Sequence, residues 1–269
     1  MLEALIEFIQ RYPKLLVISG AGCSAGSGIP TYRDDAGQWQ RSQPIQHGDF
    51  IKHAASRRRY WARSLAGWPA VAKAQPNAAH TALAQLEARG HIPLLVTQNV
   101  DRLHQRAGHQ QVIDLHGRLD EVVCLACGAI TRRSYMQTRL LAENNISVPV
   151  AAALAPDGDA EVEEQLTQTL LVPACEACGG MLKPNVVFFG GAVAKPIVAQ
   201  IYQQLDAVDA VLVVGSSLTV FSSFRFCRQA HQQGLPIAAI NQGQTRADDL
   251  LALKLSADCG ELLAGLVLA

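Results

Sequence analysis

Four short apolar runs constrain this chain more than anything else in it: KLLVISG at residues 14–20, IPLLVTQN at 92–99, AVLVVGSS at 210–217 and PIAAIN at 236–241. Each is strand-length, near-continuously apolar, and gives way at its carboxyl end to glycine or a polar residue. A strand with one wet face alternates. These do not, so both of their faces must be covered. Helix-like stretches at residues 78–90 and 222–234 lie between them, and the second stops on Gly234 with Pro236 close behind. That order of elements predicts a doubly wound α/β fold around a parallel sheet. Open sheets of this kind collect ligands beyond the carboxyl ends of their strands, so the polar residues found there are the candidates for function.

Two segments break the rhythm. Residues 34–76 are rich in Gln, Arg and Trp and are expected to form a loop and a helical cover; residues 121–183 hold two cysteine pairs and the polar, acidic stretch APDGDAEVEEQ, and are expected to form a small inserted module. The main domain would then be residues 1–120 and 184–269. With 49% hydrophobic and 17% charged residues, the chain can bury a large core and is not disordered. Lys+Arg and Asp+Glu both total 23, so no overall basic field exists to hold nucleic acid or a membrane surface. The run Arg57-Arg58-Arg59 reads as the polar face of a helix. The opening MLEALIEFIQRYPK is an amphipathic helix without a basic leader, and no apolar run reaches the roughly 18 residues of a membrane span. A cytoplasmic location is expected, where seven cysteines serve as metal ligands or free thiols.

GAGCSAGSGIPTYR, residues 20–33, follows the first run directly. Gly20, Gly22, Gly26 and Gly28 permit tight turns and let the backbone approach a ligand, and a helix starting there offers N–H groups to a pyrophosphate. The spacing departs from GxGxxG, and a glycine-rich turn without a ligand would read the same. TQNVDRLH, residues 97–104, ends the second run: Gln98, Asn99 and Asp101 suit an amide and ribose hydroxyls, although Asp101 would equally cap a helix. In DLHGRLD, His116 is placed as a general base near neutral pH or as a buried structural histidine. Gly215, Ser216 and Ser217 can meet phosphate or ribose, Asn241 can bond ribose hydroxyls, and Cys259, opening the last helix, can touch an adenine. Cys23 and Cys227 read as small core residues.

Cys124-Leu-Ala-Cys127 and Cys175-Glu-Ala-Cys178 are two knuckles, each followed by glycine. Four thiolates complete a tetrahedral zinc shell with no position left for water, so one structural Zn2+ is expected. A pair of redox motifs would not explain why two copies flank one insertion.

As a set, these blocks resemble the sirtuin family. GAG…SGIPTYR, TQNVD.LH..AG, the HG pair, both knuckles, KPNVVFFG, GSSL and CGEL occur in order over most of the chain, while PIQHGDF, RYWAR, GWP, APDGD and KPNVVFFG look closest to the class II branch. The resemblance implies a Rossmann-like sheet with an inserted zinc ribbon, NAD as co-substrate, and acylated-lysine proteins or peptides as partners. It implies a cofactor shell that adds Ala21, Ala25, Pro30, Tyr32, Arg33, Trp39, Val100, Gln242 and Gly243 to the residues already named, with Asn99 beside His116 in catalysis. In the implied reaction the acyl oxygen attacks C1′ as nicotinamide leaves. His116 then deprotonates a ribose hydroxyl, which attacks the alkylimidate to give free lysine and O-acyl-ADP-ribose. The segment at 184–189 is similar to one that pairs with a substrate peptide by strand addition.

Departures from the family pattern are Gly191 in place of an acid, and Thr31-Tyr32 in place of Asp-Phe. Tyr60 and Arg63 are similar to a Tyr-x-x-Arg pair that selects acidic acyl groups; a packed tyrosine beside a solvated arginine is the other reading. Mono-ADP-ribosylation of proteins, and NAD or ADP-ribose sensing without catalysis, are the competing functions.

Overall fold

The computed structural model describes residues 1–32, 44–149, 154–155 and 157–268. The four apolar runs become β1 (Leu15–Ser19), β2 (Leu94–Thr97), and, further along, two strands of the same central sheet. In chain order the others are β3 (Val112–Asp114), β4 (Gly117–Cys124), β5 (Ile130–Arg132), β6 (Leu182–Val186), β7 (Ala210–Val214), β8 (Ile237–Ile240) and β9 (Leu253–Leu255). The six-stranded sheet runs β3-β2-β1-β7-β8-β9, and every pairing in it is parallel. β1, β2, β7 and β8 are buried at every position, as their unbroken apolar character requires. Only β3 and β9, the short outer strands, escape the sequence pattern, because three residues carry too little periodicity to read.

Successive crossovers carry the chain from β1 outward to β3; it then returns to pair β7 against β1 and continues the other way. The sheet therefore changes winding direction between β1 and β7, and the loops that follow these two strands diverge to leave a crevice. One layer packs the first helix (Leu2–Arg11), the helix Ala78–Ala88 and the last helix (Cys259–Leu268) on the sheet through Leu5, Leu83, Leu86 and Leu263. The other packs the helices Lys195–Leu205 and Phe221–Gln232 through Ile201, Leu205, Phe226 and Ala230. Cys23 and Cys227 are both buried, as small core residues should be.

The cysteine module is built on a three-stranded antiparallel sheet, β5-β4-β6. Gly117 pairs with Val186, so this sheet reaches several residues beyond both ends of the 121–183 insertion. Two helices, His47–Lys52 and Ala54–Lys73, form the cover. They share one hydrophobic cluster with the module: Phe50, Tyr60, Trp61 and Leu65 pack with Val122, Met136, Leu140 and Phe188. Arg57 does more than line a polar face. Its guanidinium donates to the carbonyls of Phe50 and Ile51 and closes the end of the preceding helix. Among the described residues, no helix is long and apolar enough to cross a membrane.

Candidate active site and metal centre

A cavity of about 880 Å³ opens at the winding switch, a size suited to a dinucleotide and more. Its floor is made by the loops after four neighbouring strands. Gly20 follows β1 and Ala21, Gly22 and Ala25 lie in the short helix Ala21–Ala25 that it opens; Gln98, Asn99, Val100 and Asp101 follow β2. Gly215, Ser216 and Ser217 follow β7; Asn241, Gln242 and Gly243 follow β8. Cys259 and Tyr32 close the sides, and His116 stands in the wall. Residues up to 239 positions apart in the chain thus meet at one edge of the sheet. Gly26 and Pro30 are not part of the lining; Gly26 instead backs onto Asn77, whose side-chain amide would lie 3.2 Å from an added Cβ. Arg33 and Trp39 fall outside the described residues.

The two loops of the switch touch. Gly22 N–H donates to the Gly215 carbonyl at 2.8 Å, and Gly215 has φ +59° with room for no side chain: a Cβ there would lie 2.3 Å from the Cys23 nitrogen. Glycine is what allows the approach. Gln98 bridges the same gap. Its amide nitrogen donates to Ser216 Oγ at 2.8 Å, and its amide oxygen accepts from Ser223 Oγ at 2.8 Å. Asn99 donates to the Gly20 carbonyl and to Ser24 Oγ, and Ser24 in turn donates to Asp101 Oδ2 at 2.7 Å. Asp101 also accepts the Leu103 N–H. Asp101 thus binds the first N–H of the short helix Leu103–Arg106 and also lines the cavity. Burial raises its carboxyl, against the pull of the Leu103 and Ser24 hydrogen bonds.

Behind these loops lies a buried polar layer. Ser19 Oγ meets Thr97 Oγ1 at 2.9 Å and His104 Nε2 at 2.8 Å. His80, His104 and His109 meet in sequence, the first pair tilted and the second edge-on, with ring centroids 4.8 and 5.4 Å apart. Burial lowers all three imidazoles, His80 to about 4, so this layer is neutral at physiological pH.

His116 is held from both sides. Its Nδ1 lies 3.1 Å from the Gln98 carbonyl, which can only accept, so the proton sits on Nδ1. Nε2 then carries the lone pair and accepts from Ser222 Oγ at 2.7 Å. Burial lowers the imidazole below its ordinary value, partly offset by the Gln98 carbonyl. The imidazole thus presents the lone pair of Nε2 to Ser222 in the cavity wall. The next residue, Gly117, has φ +79°, and a Cβ on it would strike the Asn185 carbonyl at 2.2 Å, which keeps the HG turn against β6. Val187 N–H donates to the His116 carbonyl at 2.7 Å, so the FFG segment after β6 is tied to the base. Lys183, buried, braces that segment by donating to the carbonyls of Pro184 and Val186 and lying 4.3 Å over the Phe188 ring. Its burial lowers the ammonium to about 8.

Three cavity residues are given no site role by the sequence. Ser24 and Ser222 are ordinary serines until the fold sets them against Asp101 and His116. Asp157 belongs to the APDGD block, which marked only the branch resemblance, yet it lines the cavity, where burial and the neighbouring Asp159 push it up to about 7. The Tyr60–Arg63 pair divides. Tyr60 lines the cavity and packs against Phe50, Trp61 and Phe188, whereas Arg63 Nε donates to Asp159 Oδ1 at 2.7 Å. The guanidinium is thus already matched to a carboxylate of the protein.

The four knuckle cysteines converge, with Cys124 Sγ 3.5 Å from Cys178 Sγ and Cys127 Sγ 3.8 Å from Cys175 Sγ. All four sulfurs lie within 4.8 Å of one another. A tetrahedral zinc with Zn–S bonds near 2.3 Å sets its sulfurs about 3.8 Å apart, so the donor set fits that ion. Each knuckle is closed by a backbone bond to a left-handed glycine: Gly128 N–H to Cys124 O, and Gly179 N–H to Cys175 O. Four thiols fill the coordination shell, which makes the centre structural.

The Sir2 family model matches residues 20–222. This chain belongs to the Sir2 family. A Bradyrhizobium diazoefficiens protein described as NAD-dependent protein deacetylase 2 is 54% identical over 265 residues, spanning 98% of this chain and 97% of its own. Bovine "NAD-dependent protein lipoamidase sirtuin-4, mitochondrial" is 47% identical over 264 residues, spanning 97% and 84%. Among solved structures, one described as "Sir2-p53 peptide-NAD+" superposes with a TM-score of 0.78 at 26% identity, covering 99% of this chain and 97% of that one. The sirtuin resemblance of the motifs is thereby established over nearly the full chain, and the Rossmann-like fold is shared with the solved Sir2 structure.

Proposed function

We propose that the protein is an NAD-dependent protein-lysine deacylase that moves the acyl group to ADP-ribose and releases nicotinamide and free lysine. The observation that carries this reading is His116: a neutral imidazole, its proton fixed on Nδ1, with Nε2 at the wall of a dinucleotide-sized cavity on the switch edge. Its curated relatives at about half identity are described as NAD-dependent protein deacetylases.

NAD supplies the ribose carbon that receives the acyl oxygen and the nicotinamide that departs. The rest is done by this chain. Gly20 to Gly22 and Gly215 to Ser217 would hold the pyrophosphate and adenosine ribose with backbone N–H and hydroxyl groups. Asn241, Gln242, Gly243 and Cys259 would enclose the adenosine end. Asn99, Val100 and Asp101 would orient the carboxamide and the reacting ribose, with Ser24 fixing Asp101. His116 Nε2 would take a ribose hydroxyl proton while the Gln98 carbonyl steadies Nδ1–H. Arg33 and Trp39 belong to the proposed shell on sequence grounds. Cys124, Cys127, Cys175 and Cys178 would bind one zinc that holds the small module together and takes no part in the chemistry. We place the protein in the cytoplasm, in keeping with seven cysteines that serve as zinc ligands or free thiols.

Incubation with NAD and a panel of acetyl-, longer-chain-, branched- and acidic-acyl-lysine peptides should release nicotinamide and O-acyl-ADP-ribose, read by mass spectrometry. No turnover on any peptide, with label from NAD instead retained on protein, would replace this reading with ADP-ribosyl transfer.

A further inference from the structure

At the rim of the cavity the helix Phe221–Gln232 begins with a phenylalanine that is 43% exposed. Arg225 and Arg228, one and two turns on, lie on the same face with their guanidinium carbons 5.2 Å from the Phe221 ring centre. Arg246 comes from the loop after β8 and reaches the same ring at 5.7 Å and the Phe224 ring at 4.6 Å. It is held there deliberately: its backbone N–H donates to the Ser217 carbonyl and its Nη1 to the Thr219 carbonyl.

Three guanidiniums around one half-exposed ring repel each other. Ring contacts offset some of that repulsion, but among the described residues no carboxylate forms an ion pair with any of the three. The chain as a whole is neutral, so the patch is a local excess and not part of a general basic surface. The helix start adds to it, since its cap residue Val220 supplies no side-chain acceptor for the free N–H groups. The position is what gives the patch a purpose. Val220, Phe221 and Arg225 line the cavity, and the neighbouring Ser222 holds His116 Nε2. Phe189 and Gly190 line the same cavity. A peptide whose modified lysine reaches His116 enters the cavity that Phe221 and Arg225 line.

We propose that this arginine–phenylalanine patch selects acyl-lysine sites flanked by aspartate or glutamate. Carboxylates bound there neutralise the guanidiniums at their exposed faces, while the aliphatic part of the flanking residues covers Phe221. The inference rests on the deacylase reading of the cavity.

The test uses three peptides carrying the acyl group turned over best, identical but for acidic, neutral or basic residues on both sides of the lysine, with NAD saturating. KM should be about tenfold lower for the acidic than for the basic peptide, as expected of a few solvent-exposed ion pairs acting together, and the ratio should shrink as salt is raised. Arg228→Glu with Arg246→Glu should invert the order of KM values. Arg228→Gln with Arg246→Gln should level it, and serves if the reversed variant does not fold. Equal KM for the three peptides, or an order that survives both double variants, overturns the proposal. Tight binding of a DNA oligonucleotide abolished by the same variants, with peptide KM values equal, overturns it in favour of a phosphate ligand. No turnover on any peptide would instead remove the deacylase reading itself.

Discussion

At the scale of single residues the site is a matter of where protons sit. His116 must be neutral to act as a base, and its burial keeps it so below its ordinary pKa. Activity should therefore hold at pH 6.5 and fall only on the acid side of it, in a kcat/KM profile measured with NAD and acyl-peptide. His116→Ala should lower kcat by about 10²–10⁴, the usual worth of a positioned general base, with the folded circular-dichroism spectrum retained. The buried histidines make a separate prediction, about stability. Folded His80, His104 and His109 take up protons less readily than the unfolded chain does. Between pH 6.5 and about 4 the unfolded state thus binds more protons, and stability is lost as pH falls through that window. The urea midpoint should drop from pH 7 to pH 5; an unchanged midpoint would mean that the three rings are not buried neutral.

The elements add constraints that no single residue carries. The loops after β1 and β7 approach because Gly215 is left-handed and has no side chain. Gly215→Ala forces either the loop or Cys23 to move, and should raise KM for NAD about 5- to 150-fold through a cost of about 1–3 kcal/mol, with KM for peptide less affected. The knuckles obey a different logic. Since metal binding energy in such sites is folding energy, Cys175→Ser should lower the bound zinc below one per chain and unfold β4 to β6. His116 would then lose the Val187 N–H that anchors its backbone. Loss of zinc with an unaltered melting profile would count against a structural role.

Considered as a whole, the molecule has its cover helices and its cysteine module fused into one hydrophobic cluster, with Trp61 fully buried at the centre and Arg133 5.4 Å over its ring. Trp61→Ala should cost about 3–5 kcal/mol. Hydrogen exchange should then speed up together in residues 47–73 and 117–146, while β1, β2, β7 and β8 stay protected. Independent loosening of the two segments would show that they are separate units.

Much of this was legible in the chain itself, and the reason is periodicity and chemistry of fixed reach. An unbroken apolar strand must be buried on both faces, so β1, β2, β7 and β8 declared a covered parallel sheet, and two cysteine pairs at knuckle spacing declared a tetrahedral metal shell. Glycine and polar residues at strand ends then marked where a ligand would sit. Tertiary structure alone decided what those residues touch. Which way β7 returns to β1, that Gln98 spans the crevice, that Ser222 faces His116, that Arg63 turns to Asp159, and that three arginines from two segments meet on Phe221 all depend on contacts between residues far apart in the chain or on the direction of a side chain. Local sequence fixes backbone preference and burial over a few residues. Distances across a crevice are set only when every layer has packed.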